Sequence, residues 1–212
     1  MTQEMIAYYA YRAAEYERVY TSPRWQEDLT GLRARVTALC AGRRVFEVAC
    51  GTGYWTRLAA ERARSVRATD VNDDTLALAR AKTYAAPVIF ERRDAYAADA
   101  ERFDAGLATL WLSHVDLGRM NEFFQAFHSH LEPGAPVLMF DERERPERKP
   151  TASRTDAAGN RYEMRRLENG DRYEIVKNLL DEPQLARLIA PYGEGLAYRE
   201  MRAFWVLEYR VR

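Results

Sequence analysis

Glu47-Val48-Ala49-Cys50-Gly51-Thr52-Gly53 closes a short apolar run, Arg43–Ala49, and opens the helical pattern of Tyr54–Ala63. Glycines at a strand-to-helix junction let the backbone approach a ligand closely, and the helix start presents unpaired amides to it. A dinucleotide-binding loop would want a third small residue three positions after the second glycine, for close helix packing, and that position holds Thr56. The acid Glu47, two residues before Ala49, is a poor neighbour for a pyrophosphate but suits a ligand bearing ammonium and sulfonium groups.

Downstream, strand-like runs at Val66–Thr69, Pro87–Phe90, Phe103–Leu110 and Ala135–Phe140 alternate with helical patterns at Asp73–Tyr84 and Gly118–Leu131. Near-continuous apolar strands between helices predict an α/β fold, a parallel sheet covered on both faces. The pattern breaks after Asp141. Glu142–Asp156, charged and proline-bearing, reads as a solvated loop, and Asn169-Gly170 marks a hairpin turn between Arg161–Leu167 and Arg172–Asn178. A helix over Glu182–Ala190 and strands near Leu196–Arg199 and Ala203–Val211 complete the chain. Upstream, 2–20 reads as a helix with Met5, Tyr9, Arg12, Tyr16 and Tyr20 on one face, stopped by Thr21-Ser22-Pro23, and a second helix runs over Pro23–Leu39.

With these residues in place the chain resembles the class I, Rossmann-like S-adenosylmethionine-dependent methyltransferases. Their first motif, acid-any-small-any-Gly-any-Gly, is met by Glu47, Ala49, Gly51 and Gly53, with Ala49 where glycine is commoner. The resemblance is firm over about Arg43 to Phe140 and looser in the last strands. It implies a doubly wound, mostly parallel seven-stranded sheet with an antiparallel C-terminal strand, an N-terminal helical lid and an inserted β-hairpin. The expected division is a helical cap over 1–40 and a cofactor-binding domain over 41–212, with the insertion at about 142–180.

It also implies S-adenosylmethionine as cofactor and assigns its contacts. Asp70, ending the second strand beside Val71, would bind the ribose diol, since one carboxylate accepts both hydrogen bonds. Asp94 and Ala95 would cap adenine, while Leu110 and Trp111 end the fourth strand beside the reacting methyl. In the lid, Tyr16 would face the cofactor, and Tyr9, Arg12 and Tyr20, with Trp111, are the expected acceptor contacts. Aromatic faces attract a sulfonium by about 0.5–2 kcal/mol.

Methyl transfer is an in-line displacement on a carbon already activated, so positioning dominates and a base is needed only where the nucleophile must lose a proton. His114, just past the fourth strand, is the expected base, because imidazole titrates near neutrality. His128 and His130 are expected at the surface near a helix end.

The 212 residues suit one domain with appendages, and 32 Lys plus Arg against 32 Asp plus Glu leave no basic excess for a phosphate backbone. The expected partner is therefore a small-molecule acceptor rather than nucleic acid or a membrane. Cys40 and Cys50 are too few for a disulfide framework and lack metal-ligand spacing, which suggests reduced thiols in a cytoplasmic protein without a structural metal. Two alternatives stay open: a nucleotide-dependent oxidoreductase, and a binding module that holds the cofactor without transferring methyl. Oxygen and nitrogen acceptors are equally compatible with the sequence, and it is silent on oligomeric state.

Overall fold

The computed structural model describes residues 2–212. Thr2 caps the first helix, α1 (Gln3–Arg12), by accepting from the Met5 amide. The expected continuation of α1 to residue 20 tightens instead into a 3-10 segment, Ala13–Thr21. Helix α2 (Gln26–Cys40) then leads into β1 (Arg44–Val48), α3 (Tyr54–Ala60), β2 (Ser65–Asp70), α4 (Asp73–Arg80), β3 (Val88–Arg92) and β4 (Ala105–Thr109). Helix α5 (Met120–Ser129) and β5 (Pro136–Glu142) follow. The inserted strands are β6 (Arg154–Thr155), β7 (Arg161–Arg166) and β8 (Arg172–Val176); α6 (Glu182–Ile189), β9 (Gly193–Glu200) and β10 (Phe204–Val211) end the chain.

The main sheet runs β3-β2-β1-β4-β5-β10-β9. The first five strands pair in parallel, and β10 is antiparallel to both β5 and β9, so a single strand is reversed. Strand order switches between β1 and β4, and the crevice beyond the carboxyl ends of these strands is where open α/β sheets bind ligands.

Alternation along the strands divides the core. Val137 and Met139 of β5 face α5 and α6, packing with Phe123, Phe127, Leu185 and Ile189. Leu138 and Phe140 face the other way, against Leu32 and Val36 of α2 and Trp55 of α3. α2 thus belongs to the helical layer over the sheet. The inserted segment is a small antiparallel sheet, β6-β7-β8, because the short β6 pairs with β7 beside the expected hairpin. It meets α1 through a third cluster containing Met5, Tyr8, Ile175 and Val176.

Two expectations are corrected by burial. His128 and His130 lie inside: His128 bonds to the Phe124 carbonyl at 2.6 Å and to the Tyr209 hydroxyl at 2.9 Å, while His130 stacks on Phe46 at 4.0 Å. The stretch after Asp141 is not wholly solvated either, since Arg148 is buried and paired with Glu163 and Glu142. Pairing partners from distant elements satisfy these groups, which lets them leave water.

Candidate active site

The loop after β1 is fastened to the end of β2. The Cys50 amide donates to the Thr69 carbonyl at 2.9 Å, and the Gly51 amide donates to Asp70 Oδ2 at 2.9 Å. Asp70 Oδ1 accepts from the Asn72 amide, also at 2.9 Å. Each carboxylate oxygen keeps capacity for a further donor. Burial raises the Asp70 carboxyl, and the amides of Asn72 and Gly51 oppose that rise by stabilising the charged form. Gly53 caps α3 with φ +80°, and a Cβ there would fall 2.6 Å from the Tyr84 hydroxyl, so both conformation and space demand glycine.

On this frame lies a cavity of about 930 Å³ of empty space, its solvent mouth included. Of the expected cofactor contacts, Tyr16, Ala49, Gly51, Asp70, Val71, Asp94, Ala95 and Leu110 line it. Tyr9, Tyr20, Trp111 and His114 line the same space. Ala49 (φ +53°) and Leu110 (φ +54°) hold left-handed backbone conformations rare for side chains with a Cβ. Strain at two facing loop ends, after β1 and after β4, concentrates at the cavity wall.

Three expected contacts do not line it. Glu47 points to the α2–α3 side of β1, fully buried, and burial pushes its carboxyl up to about 8. Gly53 is spent on the cap of α3. Arg12 turns to its own helix, bonding to the Tyr8 hydroxyl at 2.9 Å and lying over the Tyr16 ring at 5.5 Å. Conversely, Thr52, Asn72, Arg93 and Thr109, outside the expected contacts, also line the cavity. Asn72 offered a signal, standing two residues after a strand-ending acid as the cap of α4.

The N-terminal segment closes over the cavity at several points. Asn72 Nδ2 donates to the Ile6 carbonyl at 3.0 Å. Glu17 accepts from the Thr52 hydroxyl at 2.6 Å and pairs with Lys82, whose Nζ also reaches the Thr52 carbonyl at 2.7 Å. Tyr20 stacks on Tyr54 at 3.8 Å and accepts from the Trp55 indole N–H at 3.1 Å. Burial pushes the Tyr16 phenol up to about 12.

Beyond β4 a 3-10 turn, Leu112–His114, carries the histidine. The Ser113 amide donates to Asp141 Oδ2 at 2.9 Å, and the Asn178 amide donates to the Ser113 carbonyl at 2.7 Å. His114 is therefore held between the core sheet and the trailing end of β8. Its Nδ1 lies 2.7 Å from the Val176 carbonyl and its Nε2 lies 2.8 Å from the Tyr9 hydroxyl. Burial, reinforced by the Lys177 charge, holds its pKa down at about 3, so the ring is neutral near pH 7.

Residues 45–134 match the model of a methyltransferase domain family. Among solved structures, DhpI in complex with SAH matches at 26% identity over 99% of this chain and 96% of that one, with a TM-score of 0.82. A complex of DhpI with SAM and HEP matches at 26% identity over 98% and 96% of the two chains, with a TM-score of 0.78. An S-adenosylmethionine-dependent methyltransferase from Mesorhizobium loti shares the fold at 20% identity over 84% of this chain and 96% of that one, with a TM-score of 0.60. No curated protein sequence matches significantly. The reversed β10, the glycine loop tied to Asp70 and these matches agree: residues 45–134 form a methyltransferase domain, and the chain is similar over nearly its whole length to class I, Rossmann-like S-adenosylmethionine-dependent methyltransferases. No helix among the described residues is long and apolar enough to cross a membrane, and none of their His, Cys, Asp and Glu side chains group as a metal site.

Proposed function

We propose that the protein transfers a methyl group from S-adenosylmethionine to an oxygen or nitrogen of a small-molecule acceptor, with His114 as general base. The observation that carries this reading is that Asp70, at the end of β2, and His114, beyond β4, line one cavity under one aromatic lid. The match to DhpI, whose complexes hold SAH or SAM, supports the donor.

The residues fit that donor. A Cβ at Gly51 would meet no atom within 4 Å, so the loop leaves open space beside its backbone. On this reading Asp70 binds the ribose diol, Asp94 and Ala95 cap adenine, and Ala49, Val71 and Leu110 form the walls; that all six line one cavity supports it. The bound donor supplies a methyl already activated on sulfonium. The chain contributes orientation, an aromatic enclosure from Tyr9, Tyr16, Tyr20 and Trp111, and a proton acceptor. Trp111 carries a buried indole N–H without a partner among the described residues, a donor left for an acceptor oxygen. The balanced charge of the chain and the size of the cavity favour a small acceptor over nucleic acid. The free buried Cys40 and Cys50 support a cytoplasmic setting, and the 1–40 cap serves as lid through its first part.

Titration calorimetry with S-adenosylmethionine and S-adenosylhomocysteine tests the donor, with dissociation constants expected at about micromolar, near −8 kcal/mol. Folded protein that binds neither ligand overturns the proposal. Methyl transfer to a panel of small alcohols, carboxylic acids and amines then separates an enzyme from a binding module.

A further inference from the structure

The hydrogen bonds around His114 fix which of its nitrogens carries the proton. The Val176 carbonyl can only accept, so Nδ1, 2.7 Å away, is the N–H. In the neutral ring Nε2 then holds the bare lone pair, and the Tyr9 hydroxyl at 2.8 Å must donate to it. The basic site of His114 is thus filled by a phenol from the lid before any acceptor arrives.

Tyr9 is fixed in that position by edge contacts to Tyr8 at 4.9 Å, Tyr16 at 5.9 Å and the His114 ring at 5.4 Å. The charged groups acting on His114 are Lys177 beyond β8, Asp141 on β5 and Arg165 on β7; the two cations oppose an imidazolium and Asp141 favours it. Burial, with neighbouring phenols, holds Tyr9 well above an ordinary phenol, so it gives up a proton only while receiving another.

We propose that Tyr9 is a catalytic proton relay between the acceptor and His114. This rests on the reading of His114 as base. As the acceptor oxygen or nitrogen forms its bond to the methyl carbon, the sulfur keeps the electron pair of the broken S–C bond. The acceptor proton passes to the Tyr9 oxygen, and the Tyr9 proton passes to Nε2. The imidazolium then returns a proton through Tyr9 to solvent when the lid lifts. A weak base suffices, because an acceptor that has taken a methyl cation turns strongly acidic.

The spectroscopic test uses protein labelled with 15N-histidine and loaded with S-adenosylhomocysteine, His114→Gln assigning the signal among three histidines. A protonated Nδ1 and a bare, hydrogen-bonded Nε2 are expected, unchanged across the neutral range. In Tyr9→Phe the tautomer persists while the Nε2 signal moves to the position of a free lone pair. A protonated Nε2 in the wild type overturns the relay.

The kinetic test uses tritiated-methyl S-adenosylmethionine and the panel compound that the wild type methylates. Tyr9→Phe and His114→Gln should each lower kcat about 100-fold or more, with the double variant no worse than either. Wild-type kcat in Tyr9→Phe beside an impaired His114→Gln means that the acceptor reaches Nε2 directly, which sinks the relay but keeps the base. Wild-type kcat in both variants sinks the base reading itself, while calorimetry still reports on the donor.

Discussion

Lys177 Nζ lies 3.2 Å from Asp141 Oδ1 and 2.8 Å from Ser113 Oγ, and all three side chains are buried. The lysine directly follows β8 of the inserted sheet, the aspartate comes from β5 and the serine from the turn that carries His114. One buried cation therefore joins the insertion, the core and the His114 turn.

Removing one partner of such a pair leaves the other charge uncompensated, at a cost of about 3–5 kcal/mol. Lys177→Met should lose stability on that scale in urea unfolding, and Lys177→Met with Asp141→Leu should recover part of it. A single variant within 1 kcal/mol of wild type, a threshold about that of an exposed pair, would show that water reaches the site.

Asp70 accepts two backbone amides and lines the cavity, so on the proposed reading its charge serves loop and ligand together. Hydrogen bonds to a charged group contribute about 1.5–3 kcal/mol each. Asp70→Asn should weaken both S-adenosylmethionine and S-adenosylhomocysteine roughly 10- to 100-fold in calorimetry. Unchanged affinity in a folded variant would remove Asp70 from the cofactor site.

Glu47 titrates far from its ordinary range because burial raises its carboxyl to about 8. The unfolded chain releases that proton near about pH 4.3, so the folded state binds the extra proton across the window between the two values. Stability from this group is complete at acid pH and is lost as pH rises through about 8. Glu47→Gln should flatten the profile, gaining on wild type at each step of a urea series from about pH 5 to about pH 8.5. Because Glu47 stands off the cavity, cofactor affinity should stay within a factor of about three, under 1 kcal/mol.

The Glu17 contacts to Thr52 and Lys82 clamp the lid to the glycine loop. Glu17→Ala should speed the release of S-adenosylhomocysteine about threefold to tenfold in stopped flow, through loss of both contacts at a half-exposed site. A release rate equal to wild type would show that the lid leaves by another hinge.

Much of this architecture could be read from residue order. An apolar run such as Ala135–Phe140 needs two covered faces, and that need marks a parallel sheet from the sequence alone. Asp70 was legible because a strand end and an acid coincide. The orientation of Glu47 was not, because a strand alternates and only the packing against α2 and α3 decides which face receives it. Arg148, His128 and His130 looked solvated because their partners, Glu163, Tyr209 and the Ala97 carbonyl, lie far away in sequence. The Tyr9–His114 bond spans 105 positions, and the tautomer it sets depends on a backbone carbonyl that no residue type reveals.

The reversed strand β10, Phe204–Val211, lies between β5 and β9, with Trp205, Val206 and Leu207 buried. The last strand of this sheet in chain order is thus an interior one. Until it emerges, β5 and β9 present open edges, and the two helical layers lack the ridge on which both rest. Vectorial synthesis can build the first five strands early, but this sheet closes only when β10 takes its place between β5 and β9.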